Sequence, residues 1–502
     1  MNEIFIDGRS LTLDDVVAVA RHGARIALAT PAAGAVAASR AYIERLLEEG
    51  RDVYGVSTGF GEFAKVAIPP HQLKELQRNL IVSHACGVGQ LFSDEVVRAI
   101  MLLRINALST GYSGIRVEVL QTLIDMLNAG VHPVIPEKGS LGASGDLAPL
   151  AHMALPLIGL GEARYNGEYM TGAEAMERAG ITPVELEAKE GLALINGTQV
   201  MCGIGALVVH DAKNLARLAD IAAGLAMEAL NGITDAYNPA LHALRPHKGQ
   251  MDTAADMLKL LEGSERTTRQ GEKRIQDAYS LRCVPQIHGA SKDALEYVEQ
   301  KLLIEINSVT DNPIILADED AAISCGNFHG QPMALAFDFL GIALSEIANV
   351  SERRIERLVN PTLSGLPAFL TENGGLNSGF MIAQYSAASL VSENKVLAHP
   401  ASVDSIPSSA GQEDHVSMGT IGARKAAEIL FNAKRVVGIE MLAACQAVDL
   451  NEGGKLGAGT QIAYDIIRQV VPKLEEDREL YVDFEKMALL IDTGIFEEII
   501  KL

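Results

Sequence analysis

The chain has 502 residues, with 64 acidic against 42 basic side chains, so its formal net charge at neutral pH is −22. Such a surface repels phosphate groups, which argues against a nucleic-acid-binding protein. Hydrophobic residues make up 48% of the chain and charged residues 21%, below the roughly 25% of an average soluble domain. We therefore expect a large soluble oligomer that hides part of each surface between subunits.

Cysteine usage and the longest apolar stretches favour a cytoplasmic protein. The cysteines are scattered, with neither a CxxC nor a His-rich spacing (Cys86, Cys202, Cys283, Cys325 and Cys445). This pattern predicts neither a disulfide framework nor a bound metal. Residues 1–9 lack the basic and apolar regions of a signal peptide, and charged residues interrupt every long apolar stretch. We expect no membrane partner and no nucleic-acid partner.

Helical patterns dominate the chain after a short mixed beginning. Ile4–Ile6 is predicted as a strand, and Thr12 with Asp15 three residues later forms a capping box at a helix start. Helices are predicted at 72–83, 94–108 and 117–129, and long ones at 198–230, 291–307, 331–358, 378–398 and 421–447. The pattern predicts a mainly α fold, with a small mixed region over residues 1–200 and an oligomerising bundle of long helices over residues 201–502.

The segment GSLGASGDLAPL at 139–150 allows two interpretations. In the first, its glycines supply turns and Ser144 or Asp146 caps the helix that follows. In the second, the backbone nitrogen of Gly145 attacks the carbonyl carbon of Ala143. Loss of one water there, and of a second from the Ser144 hydroxyl, leaves a five-membered ring with an exocyclic methylidene. Such a group is a strong electrophile.

Here the chain resembles the aromatic amino acid ammonia-lyase family, whose methylidene-imidazolone cofactor forms from an Ala-Ser-Gly triplet in a GSxGASGDLxPL context. The resemblance extends over nearly the whole chain and follows the family's order. It includes YGVSTGFG at 54–61, NGT at 196–198, QDAYSLR at 276–282, DNP at 311–313 and GNFHG at 326–330. Ser57 is a departure, since many members carry Asn there, and we expect it to adjust the loop around Tyr54 without affecting the cofactor.

The resemblance implies both an architecture and a cofactor. It implies the superhelical core of the aspartase and fumarase type, assembled as a homotetramer whose active sites are shared between subunits. The cofactor would form from Ala143, Ser144 and Gly145 within the N-terminal region, and the reaction would require no metal. An electrophile is chemically necessary because a positioned base alone supplies only about 10²–10⁴-fold acceleration, short of the roughly 10⁶-fold or more that enzymes reach.

Further site residues are implied by matching the family's motifs to this chain. Tyr54 is the expected base for the substrate's β-proton, with Glu413 as a second candidate. Arg282 is expected to bind the substrate carboxylate with its planar two-pronged guanidinium. Asn196 and Tyr279 are expected to support the ring carbonyl and the carboxylate, and Gln276 to join that network. Phe328 is expected to pack against the cofactor or the substrate.

Two short segments bear on which amino acid is the substrate. Ser83-His84 and QEDHVSMG at 412–419 resemble members of the family that act on L-histidine and form trans-urocanate. Members that act on phenylalanine carry apolar residues at the first segment and usually Gln at the position of Glu413. An imidazole presents two nitrogens, so His84 and Glu413 on opposite sides of the ring can hold its tautomer and orientation. For phenylalanine the same groups would be buried without partners, at about 1–3 kcal/mol each.

Two alternatives stay open on the sequence alone. A tyrosine ammonia-lyase or tyrosine 2,3-aminomutase would also suit a histidine at position 84, although the carboxylate of Glu413 would repel a phenol that carries partial negative charge. A noncatalytic helical assembly protein would keep the fold but leave Ala143-Ser144-Gly145 unmodified. In every enzymatic alternative the partner is a small amino acid.

Overall fold

The computed structural model describes residues 3–451 and 453–501, with side chains up to residue 499. The chain divides into two compact units. Unit 1 consists of Met1–Val208, Glu299–Asp338 and Pro400–Arg424. Unit 2 consists of Val209–Val298, Phe339–His399 and Lys425–Leu502. Each unit therefore gathers segments that are far apart in the sequence.

Helices and short strands alternate in the first part of the chain. The helices are α1 (Leu13–His22), α2 (Thr30–Glu48), α3 (Leu73–His84), α4 (Asp94–Ser109), α5 (Val117–Ala129), α6 (Leu147–Ala154), α7 (Gly172–Arg178) and α8 (Glu190–Ile195). The strands are β1 (Ile4–Ile6), β2 (Ile26–Leu28), β3 (Val88–Leu91), β4 (His132–Pro133), β5 (Pro136–Lys138), β6 (Glu162–Tyr165) and β7 (Glu168–Thr171). The capping box is confirmed, because the Thr12 hydroxyl accepts the backbone N–H of Asp15 at 3.1 Å and the Asp15 carboxylate accepts that of Thr12 at 3.0 Å.

The strands form small separate sheets in unit 1. β1 and β2 are parallel, with Ile4 opposite Ile26. β3 pairs antiparallel with β5, and β4, β6 and β7 form a three-stranded antiparallel sheet. A further hairpin joins β8 (Ile314–Leu316) to β9 (Ala321–Ile323). None of these sheets exceeds three strands in the described residues, so helices supply most of the core.

Long helices dominate the second part of the chain. They are α9 (Gln199–Ala229), α10 (Pro239–Ala243), α11 (Lys248–Leu260), α12 (Tyr279–Arg282), α13 (Val284–Glu305), α14 (Gln331–Val359), α15 (Pro361–Ser364), α16 (Met381–Leu397), α17 (Gly419–Leu450), α18 (Ala458–Val470), α19 (Leu480–Asp492) and α20 (Glu497–Lys501). The predicted mainly α class and the long predicted helices are confirmed. The prediction for 291–307 was too short, because α13 already begins at Val284.

Within the described residues, α14 is the one helix that by length and composition could cross a membrane. Of its most apolar 18-residue window, 67% is buried inside the protein, which is typical of a core helix. Phe337, Leu340 and Leu344 on this helix are each 0% exposed. The apolar character of α14 thus serves packing.

Candidate active site

The Ala143-Ser144-Gly145 triplet lies in a tightly folded loop that pairs with the segment before α9. The backbone nitrogen of Gly145 donates to the carbonyl of Gly142 at 3.3 Å, and Gly197 donates to the carbonyl of Ser144 at 3.1 Å. Asp146 donates in turn to the carbonyl of Gly197 at 2.8 Å. Ser144 has a φ of 48°, which is uncommon for a residue with a side chain. These hydrogen bonds and the positive φ of Ser144 therefore define a tight turn.

Glycine is required at position 145 by space as well as by conformation. Its φ is 77°, and a Cβ there would lie 2.1 Å from the carbonyl oxygen of Gly197. A side chain at 145 would displace this backbone pairing. The triplet thus lies in a strongly bent loop in which position 145 admits no side chain.

Asp146 anchors the loop to the beginning of α9. Its carboxylate is 0% exposed and accepts the backbone N–H groups of Val200 at 3.0 Å and Met201 at 2.9 Å. It also accepts the hydroxyls of Ser140, at 2.9 Å, and of Thr420. Burial raises the pKa of Asp146, while these hydrogen bonds to the charged form oppose that rise.

The side chain of Asp146 does not cap the helix that directly follows the loop, as one interpretation of the sequence predicted. Asp146 occupies the N-cap position of α6, but its side chain makes no hydrogen bond to that helix. It binds the N-terminus of α9 instead, 54 residues further along the chain. Free N–H groups at a helix N-terminus attract a carboxylate wherever it comes from in the sequence.

A cavity of about 210 Å³ opens beside the triplet. Its lining consists of residues from the end of α3 and from the triplet loop: Ser83, His84, Cys86, Gly139, Ser140, Leu141, Ala143, Gly145, Leu147 and Ala148. His84 is the last residue of α3, and its Nδ1 lies 3.1 Å from the hydroxyl of Ser83. Burial lowers the pKa of His84, so the imidazole is neutral near pH 7. The structure thus places His84 at the same cavity as Ala143 and Gly145.

Glu413 belongs to the same neighbourhood. Its negative charge raises the pKa of both Tyr54 and His84, so its carboxylate lies within electrostatic reach of both side chains. The half-buried Glu413 is held in a short antiparallel bridge to Ser408, whose hydroxyl donates to Oε2 at 3.2 Å. The structure therefore brings together two residues, at 84 and 413, that are remote in the sequence.

The surroundings of Tyr54 affect its pKa in opposite directions. The backbone N–H of Gly61 donates to its hydroxyl at 3.3 Å and lowers the pKa. Burial is the larger influence, and together with the charge of Glu413 it raises the pKa above the ordinary value. Ser57 supports this loop by accepting the backbone N–H of Val53 at 3.0 Å.

Asn196 is buried and its amide orientation is determined by its neighbours. Its Nδ2 donates to Oδ1 of Asp311 and to the carbonyl of Asn312, both at 3.0 Å. Since both partners are acceptors, the amide nitrogen must face them. Oδ1 of Asn196 has no hydrogen-bond partner among the described residues. The atom of Asn196 that is free to bind another group is therefore its oxygen, which can only accept a hydrogen bond.

Two buried cations near Asn196 escaped the sequence analysis. Lys189, 0% exposed, pairs with Asp311 at 2.8 Å. Arg104, also 0% exposed, donates to the carbonyl of Asn196 at 2.6 Å, and burial lowers its pKa to about 10. Neither cation had a local signal, because Lys189 meets Asp311 across 122 residues and Arg104 meets Asn196 across 92.

Phe328 lies in unit 1 and is half-buried in the loop before α14. The next residue, His329, forms a hydrogen bond of 3.1 Å between its Nε2 and the carbonyl of His415. The two histidine rings are stacked, with centroids 6.0 Å apart. This contact joins the Phe328 loop to the 412–419 segment that carries Glu413.

Gln276, Tyr279 and Arg282 belong to unit 2. Gln276 is exposed and Tyr279 is 68% exposed, a large value for an aromatic side chain. The guanidinium of Arg282 lies over the Tyr279 ring, 4.6 Å from its centroid. The Nε of Arg282 is buried and has no hydrogen-bond partner among the described residues. Unit 2 therefore presents an aromatic ring and a cation together.

Metal binding has no ready site in the part of the chain that the structure describes. Residues 3–451 and 453–501 contain no group of three or more His, Cys, Asp or Glu side chains placed to hold an ion. The cavity itself is lined by the triplet loop and a neutral imidazole, and the carboxylate of Glu413 lies within electrostatic reach of both His84 and Tyr54.

Comparisons with known proteins agree along the whole chain. The profile of the family described as aromatic amino acid lyase matches residues 11–469. A histidine ammonia-lyase from Alkaliphilus oremlandii is 66% identical over 494 residues, which cover 98% of this chain and 97% of that enzyme. A crystal structure of histidine ammonia-lyase from Trypanosoma cruzi superposes with a TM-score of 0.93 at 45% identity, covering 100% of this chain and 95% of that one.

A tyrosine aminomutase from Streptomyces globisporus superposes with a TM-score of 0.95 at 40% identity, covering 100% of this chain and 98% of that chain. Overall shape thus does not separate enzymes that are named for different substrates. The family is nevertheless shown, by the profile match over most of the chain and by the high identity to relatives over nearly their full length. This chain belongs to the aromatic amino acid lyase family.

Proposed function

We propose that this protein is a histidine ammonia-lyase, which eliminates ammonia from L-histidine to give trans-urocanate. The observation that carries the proposal is that His84 lines the cavity beside the Ala143-Ser144-Gly145 loop, with the carboxylate of Glu413 within electrostatic reach of its ring. The names of its relatives from Alkaliphilus oremlandii and Trypanosoma cruzi support the same substrate. We expect the enzyme to act in the cytoplasm.

The cofactor that this function needs is a methylidene-imidazolone formed from Ala143, Ser144 and Gly145. The bent loop and the side-chain-free position 145 support its formation, because any Cβ at 145 would collide with the backbone of Gly197. Once formed, this group supplies an electrophile that converts the substrate's amine into a better leaving group. No metal is required.

The substrate's imidazole is bound by His84 and Glu413. His84 is neutral near pH 7, so one ring nitrogen can accept or donate a hydrogen bond according to its tautomer. The carboxylate of Glu413 accepts an N–H from the other side. A phenylalanine ring would leave both groups buried without partners, at about 1–3 kcal/mol each. Both contacts therefore favour histidine.

The β-proton is removed by Tyr54, with Glu413 as the second candidate. The raised pKa of Tyr54 means that its phenolate forms less readily than that of a free tyrosine. The hydrogen bond from Gly61 favours the phenolate and partly offsets this effect. Because the Nδ2 of Asn196 is already bonded to Asp311 and Asn312, its free Oδ1 can serve a substrate donor but not the ring carbonyl or the carboxylate. Phe328 packs against the substrate.

Arg282 binds the substrate carboxylate through two parallel hydrogen bonds, assisted by Tyr279 and Gln276. These side chains lie in unit 2, where Tyr279 is exposed. An exposed aromatic ring beside an arginine is typical of a surface that another subunit covers. This exposure supports the homotetramer that the family resemblance implies, in which the 276–282 segment completes the active site of a neighbouring subunit.

One experiment tests the function directly. The purified protein is incubated separately with L-histidine, L-tyrosine and L-phenylalanine, and the conjugated acid products are followed by ultraviolet absorbance. Urocanate is expected to form fastest. Coumarate or a β-amino acid from tyrosine, without urocanate from histidine, would replace the proposed substrate by tyrosine. The Ser144→Ala variant is the control for background.

A second experiment tests the shared active site. Ser144→Ala and Arg282→Lys variants are purified separately, mixed under conditions that exchange subunits, and assayed. If neighbouring subunits supply the two residues, some sites of the mixed tetramer carry neither substitution, and activity should exceed that of either parent. Activity no higher than the parents after proven exchange would place both residues in one chain's site.

A further inference from the structure

Arg282 lies on an element that is too short to hold itself in place. The helix α12 has four residues, Tyr279–Arg282. A helix of this length makes almost none of its own i to i−4 hydrogen bonds and is not stable alone. The direction of the Arg282 side chain therefore depends on the contacts that other residues of unit 2 make with the backbone of α12.

Tyr237 binds this backbone immediately before Arg282. Its hydroxyl donates to the carbonyl of Leu281 at 2.7 Å, and the tyrosine is 0% exposed. Burial raises the pKa of Tyr237, so the hydroxyl keeps its proton and acts as a donor at any pH at which the protein is folded. The side chain of Leu281 is itself only 2% exposed. The residue before Arg282 is thus held on both its backbone and its side chain.

Arg354 binds the preceding carbonyl. Its Nη1 lies 3.4 Å from the carbonyl oxygen of Ser280 and 3.3 Å from Nε2 of His288. The remaining nitrogens pair with the carboxylate of Glu440, Nη2 at 3.0 Å from Oε2. Arg354 and Glu440 are both 0% exposed. A guanidinium held this way by a buried carboxylate has little freedom to move.

The residues just before α12 are also held by hydrogen bonds. The carboxylate of Asp277, 6% exposed, accepts the backbone N–H of Ile233 at 2.6 Å. It also accepts Nε of Arg274 at 3.0 Å. Contacts with Asp277, Ser280 and Leu281 therefore restrain α12 along its length, and all of these residues lie in unit 2.

We propose that Tyr237 and Arg354 are positioning residues that hold the backbone of α12 so that Arg282 presents its guanidinium to the substrate carboxylate. The inference rests on the proposed function, because it takes Arg282 as the carboxylate-binding residue. Its physical basis is that two-pronged binding tolerates little displacement, and a shift of about 1 Å costs on the order of 10²-fold in rate.

The test compares binding of the substrate's carboxylate with binding of its imidazole and amine. Inhibition constants are measured for urocanate, which has a carboxylate, and for histamine, which has the imidazole and amine but no carboxylate. In Tyr237→Phe the constant for urocanate and the KM for histidine should rise about three- to tenfold, the range expected for one lost hydrogen bond. The constant for histamine should stay within twofold of wild type.

The matched control is Tyr464→Phe. Tyr464 is another tyrosine of unit 2, and its hydroxyl bonds to Asp449 rather than to α12. This variant also loses one tyrosine hydroxyl, so it should leave both inhibition constants unchanged. Arg354→Lys keeps the charge opposite Glu440 but has one prong, and it should reproduce the selective weakening of urocanate in case Tyr237→Phe does not fold.

The outcomes distinguish this inference from the proposed function. If Arg282→Lys weakens urocanate but Tyr237→Phe and folded Arg354→Lys do not, the positioning role is wrong and the carboxylate role of Arg282 stands. Equal weakening of urocanate and histamine in Tyr237→Phe would also overturn it, since the effect would then be general. If Arg282→Lys binds urocanate like wild type, the role of Arg282 under the proposed function is wrong.

Discussion

Lys189 and Asp311 form an ion pair of 2.8 Å in which the side chains are 0% and 1% exposed. The same carboxylate accepts the amide of Asn196 at 3.0 Å. Burial lowers the pKa of Lys189, and the charge of Asp311 opposes this shift. The pair therefore links the stability of unit 1 to the orientation of a proposed active-site amide.

Removing one partner of this pair should be strongly destabilising. Asp311→Asn leaves the Lys189 charge buried without a counterion, which costs about 3–5 kcal/mol. Urea unfolding followed by circular dichroism measures the change. The control is Glu185→Gln, which removes one of the two exposed carboxylates that pair with Lys74 and should leave stability unchanged. A loss in Asp311→Asn no larger than in the control would contradict the prediction.

Replacing both partners should separate stability from activity. In Lys189→Met combined with Asp311→Leu, apolar groups of similar size replace the two charges, so stability should return to within about 1–2 kcal/mol of wild type. Activity should stay low, because the amide of Asn196 has lost one of its two acceptors and is held only by the carbonyl of Asn312. Turnover of histidine and the unfolding midpoint are measured on the same preparation. Full activity in the double variant would remove Asp311 from the positioning of Asn196.

The mass of the mature chain should reveal the cofactor. Cyclisation of Ala143-Ser144-Gly145 releases two water molecules, so active wild-type protein should be lighter than its sequence by that amount. Ser144→Ala lacks the hydroxyl that leaves, and it should fold and assemble but lose nearly all activity. Intact-protein mass spectrometry compares the two. Active protein at the full sequence mass would exclude this cofactor.

Glu413 should control the pH dependence through Tyr54. Its negative charge raises the pKa of Tyr54 because it repels the phenolate. Glu413→Gln removes that repulsion, so the pKa of Tyr54 should fall and the rise of kcat/KM with pH should begin at lower pH. The first readout is the pH profile of kcat/KM. The second is the ultraviolet absorbance of the Tyr54 phenolate, obtained by subtracting the spectrum of the Tyr54→Phe variant. An unmoved or upward-shifted limb would argue against Tyr54 as the base.

His84 and Glu413 should act on one ring and therefore be coupled. His84→Phe and Glu413→Gln should each lower kcat/KM for histidine, and the double-mutant cycle should deviate from additivity by about 0.5–3 kcal/mol. His84→Phe should also gain some activity on phenylalanine, because one unpaired polar group has been removed. Strict additivity in a folded, cofactor-bearing double variant would mean that the two side chains contact different parts of the substrate.

Local patterns in the sequence were sufficient for much of the architecture. The capping box at Thr12 and the helices near 94–108 and 117–129 follow from side chains within a few positions of one another, so the sequence alone predicts them. The GASGDL motif likewise marked the bent loop that is proposed to form the cofactor. These features depend on neighbours along the chain, which a sequence displays directly.

Burial and long-range contacts could be decided only by the tertiary structure. Asp146 looked like the cap of the next helix but binds α9, 54 residues away, and Lys189 meets Asp311 across 122 residues. The pKa of Tyr54 is raised rather than lowered because burial outweighs the one donor near it. A pKa and a hydrogen-bond partner depend on the solvent and on the charges around a group, and folding alone brings those together.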